Sequence, residues 1–156
     1  MAQIITINQI NDLFKSFQEN HLFLADYGLG ETSEIGVSRQ LKFPYIWVTL
    51  GENTQIDIAN KTTIPQLDLT VIVADQKNIQ ETGDDFNTLD NLSDCFQIQQ
   101  DVITTILNEW GKWGIQISGN PRLYPVIDET QDAVNGWAME LRLKLNHHNC
   151  STPTKL

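Results

Sequence analysis

Few side chains in this sequence have the types and spacing that metal binding or catalysis needs. The one cluster that resembles a metal site is His147-His148-Asn149-Cys150. Neighbouring residues of an extended segment point to opposite sides, so the two imidazoles cannot both reach one ion, and acidic ligands near them are few. We interpret the cluster as the solvated end of a strand, and we expect no metal ion and no cofactor.

Paired carboxyl groups occur at Asp84-Asp85 and at Asp128-Glu129. Acid–base catalysis by two carboxyl groups needs burial, because burial separates their pKa values. Both pairs instead fall in polar stretches that are typical of exposed loops. His21 follows the apolar stripe of a helix, which is typical of a helix-end residue rather than of a catalytic base.

The remaining candidates for chemistry also lack partners. Ser33, Ser38 and Ser93 have no His and Asp at a spacing typical of a nucleophilic triad. Gly28-Leu29-Gly30 lacks the third glycine, the preceding strand and the following helix of a dinucleotide-binding loop. The sequence therefore predicts no catalytic residue, and we expect that the protein is not an enzyme.

Composition excludes several further classes of protein. The chain has 156 residues, a length typical of one domain, with 20 acidic and 10 basic side chains and a net charge of −10. The basic residues are scattered singly along the chain. This pattern excludes a protein that binds nucleic acid by neutralising the phosphates with clustered Lys and Arg. Cys95 and Cys150 form neither a disulfide framework nor a zinc pattern, and the sequence starts with no signal-peptide pattern, so we expect a reducing cytoplasm. No apolar run is long enough to cross a membrane.

Two segments have the 3–4 spacing of amphipathic helices. The first covers about 7–20, where Thr6 can cap the helix and Gln9 completes a capping box. The second is long and covers about 87–110, with an apolar stripe on one face and Gly111 as its stop. Between these helices, residues 25–42 contain two glycines and no period, which predicts an ordered loop.

Alternating apolar residues predict the strands. Residues 45–50 are followed by a turn and by a more polar returning strand that contains Ile56 and Ile58. Residues 66–75 predict a strong strand whose second half is covered on both faces. After the long helix we predict strands at 115–117, at 122–127, where Pro125 indicates an edge position, and at 137–145, which follows an acidic loop at 128–136. The polar face of this last strand is expected to be wet or to contact something polar.

This order of elements indicates an α+β fold. We expect a mostly antiparallel β-sheet packed against the long helix and the N-terminal helix. Residues 1–146 are expected to form a single domain, and residues 147–156 an extended C-terminal tail.

Aromatic residues near predicted turns and edges have two readings. They are either core or part of a subunit interface, because the cores of interfaces are enriched in aromatic side chains. The candidates for an interface are Phe43, Tyr45, Trp47, Trp113, Tyr124 and Trp137.

Three stretches together resemble a known family. They are residues 26–48, which run from Asp26-Tyr27-Gly28-Leu29-Gly30-Glu31 to Lys42-Phe43-Pro44-Tyr45-Ile46-Trp47-Val48, residues 67–75 before the long helix, and residues 132–137 with Cys150-Ser151-Thr152-Pro153. They resemble small virion proteins of tailed bacteriophages, notably phages of Bacteroidota, of the tail-terminator or head–tail connector (neck ring) type. The similarity covers most of residues 20–153 and rests on pattern and order rather than on a catalytic motif.

The resemblance implies an α+β subunit repeated as a ring of six or twelve copies in the neck or tail of the virion, after assembly in the host cytoplasm. Its implied partners are further copies of itself, neighbouring connector proteins and tail-tube proteins, with double-stranded DNA passing through without specific binding. Other neck or tail rings, such as a stopper or an adaptor, and a small non-virion binding protein remain alternatives.

An acidic lumen would suit this role, because it repels DNA phosphates and lets the duplex slide. We expect the polar loops at 52–62, 75–86 and 128–135 to include lumen and docking surfaces. Their acidic candidates are Glu52, Asp57, Asp84, Asp85, Asp128, Glu129 and Asp132. The tail from His147 is expected either to pack as an arm across a neighbouring subunit or to fray.

Overall fold

The computed structural model describes residues 5–35, 41–76, 85–127 and 134–146, and the side chains of the second helix from residue 89 onward. Within these ranges it contains two α-helices and seven strands. The helices are α1 (Ile7–Asn20) and α2 (Asp85–Asn108), and the strands are β1 (Asp26–Leu29), β2 (Tyr45–Leu50), β3 (Gln55–Ala59), β4 (Thr62–Gln76), β5 (Ile115–Ile117), β6 (Arg122–Ile127) and β7 (Val134–Leu145). Single 3-10 turns cover Thr32–Glu34 and Trp110–Trp113.

The N-terminal helix begins at the predicted capping box. The Gln9 main-chain N–H donates to Thr6 Oγ1 at 3.2 Å, and the Thr6 N–H donates to Gln9 Oε1 at 2.8 Å. These bonds satisfy two donors that a helix start otherwise leaves unpaired. Ile10 and Phe14 are buried, so the predicted apolar face of α1 is confirmed.

The strands form one sheet in the order β1-β2-β4-β7-β5. β3 pairs with the first residues of β4, and β6 pairs with the part of β7 that β5 leaves free. Every pairing is antiparallel except that of β1 with β2. The predicted α+β class, with a mostly antiparallel sheet packed against two helices, is therefore confirmed, and Pro125 lies on an edge strand as predicted.

Two predictions around the strands are wrong in part. The sequence predicts a loop over 25–42, but residues 26–29 form β1, because their main chain pairs in parallel with β2 despite the glycine content. The predicted acidic loop extends to Gly136, but residues 134–136 already pair with β4 and belong to β7. Residues 128–133 of that loop lie outside the described part of the chain, as do 36–40 and the predicted tail at 147–156.

The end of the long helix also differs from the prediction. The helix α2 ends at Asn108, and a 3-10 turn follows it over Trp110–Trp113. Gly111 lies inside that turn, so this glycine does not end the helix. Gly114 ends the turn instead, with a φ of +86° that favours glycine.

Apolar side chains cover both faces of the sheet, but unequally. On the helix side, alternate residues of β4 and β7 pack with α1 and α2 into the main core. On the other face, which we call the open face, Tyr45, Trp47, Ile72 and Ala74 form a smaller core beneath Leu41. The prediction that the second half of β4 is covered on both faces is confirmed.

The long helix is fastened to the sheet by polar contacts within the core. Gln99 is fully buried, and its Nε2 donates to the main-chain oxygens of Val71, at 2.8 Å, and Trp137, at 3.0 Å. These two oxygens belong to the neighbouring strands β4 and β7. The Gln99 side chain of α2 is therefore hydrogen-bonded to both central strands of the sheet.

Candidate functional site: assembly surfaces

A two-stranded hairpin extends beyond the body of the sheet. We define the hairpin as residues 55–65, which comprise β3, its turn and the first residues of β4. Residues 62–65 of β4 pair with β3 alone among the described strands, because the pairing with β7 starts at Gln66. Asn60 and Lys61 at the turn both have positive φ, at 49° and 64°, as a type I′ turn requires. Such an extension is marginally stable in water unless something packs on it.

One face of the hairpin carries exposed apolar side chains. Ile56 is 65% exposed and Ile58 is 81% exposed. Their cross-strand partners are Pro65 and Thr63, so both isoleucines lie on the helix side of the sheet, in line with the core residue Leu67. We call Ile56 and Ile58 the apolar strip, which continues the core face of the sheet past the point that the helices cover.

The opposite face of the hairpin carries a hydrogen-bonded polar group. The Asp57 carboxylate accepts hydrogen bonds from the Gln66 and Gln55 side chains, the latter at 2.9 Å. Asp57, a predicted lumen or docking residue, is thus held on the open face of the sheet. This face also carries Ala59 and the half-buried Ile64, so it is mixed in character, whereas the two most exposed large apolar side chains of the hairpin both lie on the helix side.

An apolar groove lies between the start of α1 and β5. It has a volume of about 380 Å³ and is lined by Ile5, Gln9, Asp12, Leu13, Trp113 and Ile115. We call it the Trp113 groove. Trp113, at the end of the 3-10 turn after α2, is 58% exposed, and Leu13 is partly buried against the core. A half-exposed tryptophan beside aliphatic side chains is typical of a binding surface.

A polar hollow of about 300 Å³ occupies the open face at the β4–β7–β6 junction. Asp68 lies opposite Arg142, and Glu140 lies opposite both Thr70 and Arg122. Opposite charges alternate across the strands, as is favourable for cross-strand pairs. The alternation within β7 predicts a wet or polar environment for this face, but it does not identify the partners on β4 and β6.

The six aromatic interface candidates fall into three groups. Tyr45 and Trp47 are only 4% and 6% exposed, because they form the small core on the open face. Phe43 packs against that same core, and Trp137 packs against the main core. Trp113 and Tyr124, which is 45% exposed, are the two whose rings present a large surface to solvent.

The acidic lumen candidates are only partly covered by the described residues. Glu52 is exposed in the turn between β2 and β3, at the base of the hairpin. Asp85 starts α2, but its side chain lies outside the described part, as do Asp84, Asp128, Glu129 and Asp132. Their role in a lumen stays a prediction.

His21 is the one histidine that the structure describes, and both its ring nitrogens are engaged. Nδ1 accepts a hydrogen bond from the Phe23 main-chain N–H at 3.2 Å, which requires that this nitrogen carries no proton. Nε2 then donates to Asp101 Oδ2 at 2.9 Å. His21 therefore ties the end of α1 to α2, in a cleft where it has no free nitrogen to act as a base.

Two acidic side chains, the Cys95 thiol and the Tyr27 phenol, have raised pKa values, so neither is activated as a nucleophile or a base. Burial, together with the negative charges of Asp75 and Asp94, raises the pKa of the Cys95 thiol to about 12. The thiol Sγ lies 3.8 Å from the Asn135 main-chain oxygen, to which it donates. Burial, and the nearby Asp12 carboxylate, raise the pKa of the Tyr27 phenol well above its ordinary value. A protonated thiol is a poor nucleophile, so Cys95 is a packing residue.

Neither a metal centre nor a membrane-spanning helix is found within the described ranges. Within those ranges, no group of three or more His, Cys, Asp or Glu side chains lies close enough together to hold a metal ion. No described helix combines the length and apolar character that crossing a bilayer requires.

No protein-family model matches the chain, and no curated protein matches it.

Proposed function

We propose that this protein is a structural subunit that assembles with copies of itself into a ring, as a tail terminator or neck protein of a tailed bacteriophage. The apolar strip on the hairpin is the observation that supports self-assembly. The placement of the protein in a virion is supported by the resemblance of residues 26–48, 67–75 and 132–137 to small virion proteins.

The apolar strip supports assembly on energetic grounds. Full burial of an isoleucine side chain contributes about 1.5–3 kcal/mol, so covering two of them favours association. An uncovered strip on a two-stranded extension is also an aggregation hazard, which a protein tolerates where the surface has a partner. The Trp113 groove is a second, chemically distinct surface, and a ring needs two different patches that bind each other.

The lumen of the ring is proposed to be acidic. With a net charge of −10 per copy, six or twelve copies create a strong negative field along the axis, which keeps DNA from binding and lets it pass. Arg122, Arg142 and Lys144 lie on the open face of the sheet together with Asp57, Asp68 and Glu140, so this face carries both signs of charge rather than an excess of negative charge. The open face is therefore proposed to point away from the channel.

Self-association and ring shape test the proposal. Size-exclusion chromatography with light scattering over a wide range of concentrations should give hexamers or larger species, and negative-stain electron microscopy should show rings with a central channel. A chain that stays monomeric at every concentration and forms no rings contradicts the ring function. That result would favour the second candidate, a small binding protein that uses the apolar strip on a different partner.

The virion part has its own test. Mass spectrometry of purified virions from a phage that encodes this chain should detect it, and a density map should place six or twelve copies between connector and tail tube. Its absence from the virion contradicts the tail-terminator function, even for a chain that forms rings. A map that places it elsewhere in the neck selects a stopper or an adaptor ring.

A further inference from the structure

We propose that the hairpin of one copy docks in the Trp113 groove of the next copy, with Ile56 and Ile58 inside the groove and Lys61 beside Asp12. This inference rests on the proposed ring and names the two patches that close it. The partner is a second copy of this chain, and the contact is head-to-tail.

The positions of the two surfaces in the sheet suit a head-to-tail contact. Both lie at the same end, since Gln66 next to the hairpin pairs with Lys144, which also pairs with Gln116 of β5. They lie on opposite sides of the central strands, because β3 flanks β4 whereas β5 flanks β7. Each copy can therefore offer its hairpin to one neighbour and its groove to another, and such a head-to-tail contact generates a ring when the rotation between copies closes.

The chemistry of the two surfaces is complementary. The apolar strip offers two branched aliphatic side chains on one side of a narrow extension. The groove offers the exposed Trp113 ring and the half-buried Leu13, with the buried Ile115 at its floor, in a volume of about 380 Å³. Tryptophan is enriched among the residues that dominate interface energies, and contacts that exclude water surround such residues.

Charge fixes the direction in which the hairpin enters. Lys61 is exposed at the hairpin tip, and Asp12 lines the groove. The other charge on the hairpin, Asp57, is held on the opposite face by Gln66 and Gln55, so it does not oppose Asp12. The pair Lys61–Asp12 therefore joins unlike charges without placing a like charge against the groove.

Single-surface variants give the first test. Ile56→Ser with Ile58→Ser should weaken self-association at least tenfold, measured by sedimentation equilibrium, and Trp113→Ala should do the same. The matched control is Ala59→Ser, an exposed residue of the same hairpin on its other face, and it should leave association unchanged. Circular dichroism should give near wild-type melting for all of these variants, because the replaced side chains are largely exposed in the monomer.

A mixing experiment distinguishes a head-to-tail contact from any other. The Ile56→Ser/Ile58→Ser chain keeps an intact groove, and the Trp113→Ala chain keeps an intact hairpin. When mixed, they should form a 1:1 heterodimer that grows no further, because one intact contact remains and the second is lost on both outer ends. A charge exchange adds a direct check: Lys61→Asp and Asp12→Lys should each weaken association, and the chain with both should recover it.

The outcomes separate this inference from the ring function. If rings persist in both single-surface variants, the docking inference is wrong and the ring function stands. If the mixture stays monomeric although the wild type forms rings, the contact is not head-to-tail through these surfaces. If the wild type never self-associates, both proposals are wrong.

Discussion

The indole Nε1 of Trp137 donates a hydrogen bond to the main-chain oxygen of Leu92 at 2.7 Å, which joins the central strand β7 to the first half of α2. The Phe96 ring, one turn further along α2, meets the same indole edge-on with centroids 5.5 Å apart. Gln99 follows after another turn and bonds back to the Trp137 main-chain oxygen. Trp137 of β7 thus contacts three successive turns of α2.

Trp137→Phe should destabilise the fold by about 1–2 kcal/mol. The substitution keeps an aromatic ring against the core but removes the hydrogen bond to Leu92, and the net value of such a bond is about 1 kcal/mol. Urea unfolding followed by circular dichroism measures the change. Trp113→Phe is the matched control when unfolding is measured on the monomer, because Trp113 lies in the proposed docking groove; it should then change stability by less than about 0.5 kcal/mol, since that indole is largely exposed. Equal effects of the two substitutions would contradict the role assigned to the Trp137–Leu92 bond.

Gln99→Glu should destabilise the protein by about 3–5 kcal/mol at neutral pH, because it places a carboxylate against two carbonyl oxygens with no donor in a buried site. Protonation relieves the repulsion, so the deficit should shrink as the pH falls. Chemical denaturation at several pH values measures both effects. Gln100→Glu makes the same change at an exposed neighbour and should have little effect. A Gln99→Glu protein as stable as wild type at neutral pH would be incompatible with the buried contacts.

Gly136→Ala should cost about 3 kcal/mol or more and can prevent folding. A methyl group at this position would overlap the main-chain oxygen of Val73 and lie 2.7 Å from Ala74 Cα, and a central strand cannot move away from its neighbour. Gly111→Ala is the control, because its nearest contact would be an ordinary 3.7 Å. Soluble yield and thermal melting distinguish the two, and native melting of the Gly136→Ala chain would rule out this close approach of β4 and β7.

Asp75→Asn should raise the melting temperature at neutral pH by a few degrees. Burial, with a smaller contribution from the Asp94 charge, raises the pKa of Asp75 in the folded state above its ordinary value of 3.8, against a lowering hydrogen bond from the Gln76 N–H. The folded state then binds more protons than the unfolded state between the two pKa values, so stability falls as pH rises through that interval. Asparagine removes this loss and keeps the acceptor for Gln76.

Calorimetry over a pH series checks the Asp75 prediction. The difference between Asp75→Asn and wild type should vanish well below the ordinary pKa of 3.8, where both side chains are neutral, and reach its full size above the raised pKa. Asp90→Asn, an exposed position of α2, removes the same charge without relieving burial and serves as the control. If the difference were the same at all pH values, burial of the Asp75 carboxylate would not be its cause.

The elements that local rules specify were predictable from the sequence. The capping box at Thr6 and Gln9 predicts the start of α1, and strict alternation predicts β7 because only one face of that strand is fully buried. The apolar run predicts β4 from residue 66 onward but misses residues 62–65, which pair with β3 alone among the described strands. The short strand β1 was not predictable, because four residues with a glycine gain their strand conformation from β2 rather than from their own propensity.

The sites depended on tertiary placement in the same way. Tyr45 and Trp47 looked equally suited to an interface, and only the cover from Leu41 and Phe43 makes them core. Gln99 is a polar residue within the apolar stripe of α2, between Cys95 and Val102, so the sequence marks it as unusual. Its hydrogen-bond partners were not predictable, because they are main-chain atoms of two distant strands. The exposed strip at Ile56 and Ile58 was predicted as a strand face, but its exposure follows from where α1 and α2 end.

The position of β7 also constrains how the protein is made. This strand pairs with β4 along its length and provides the partner for both β5 and β6, yet it follows all of them along the chain. A nascent polypeptide that has not released residues 134–145 from the ribosome has no partner for either of those strands, and one edge of β4 stays open. We therefore expect the sheet to close only after β7 has been synthesised, with the hydrophobic half of β4 exposed to chaperones until then.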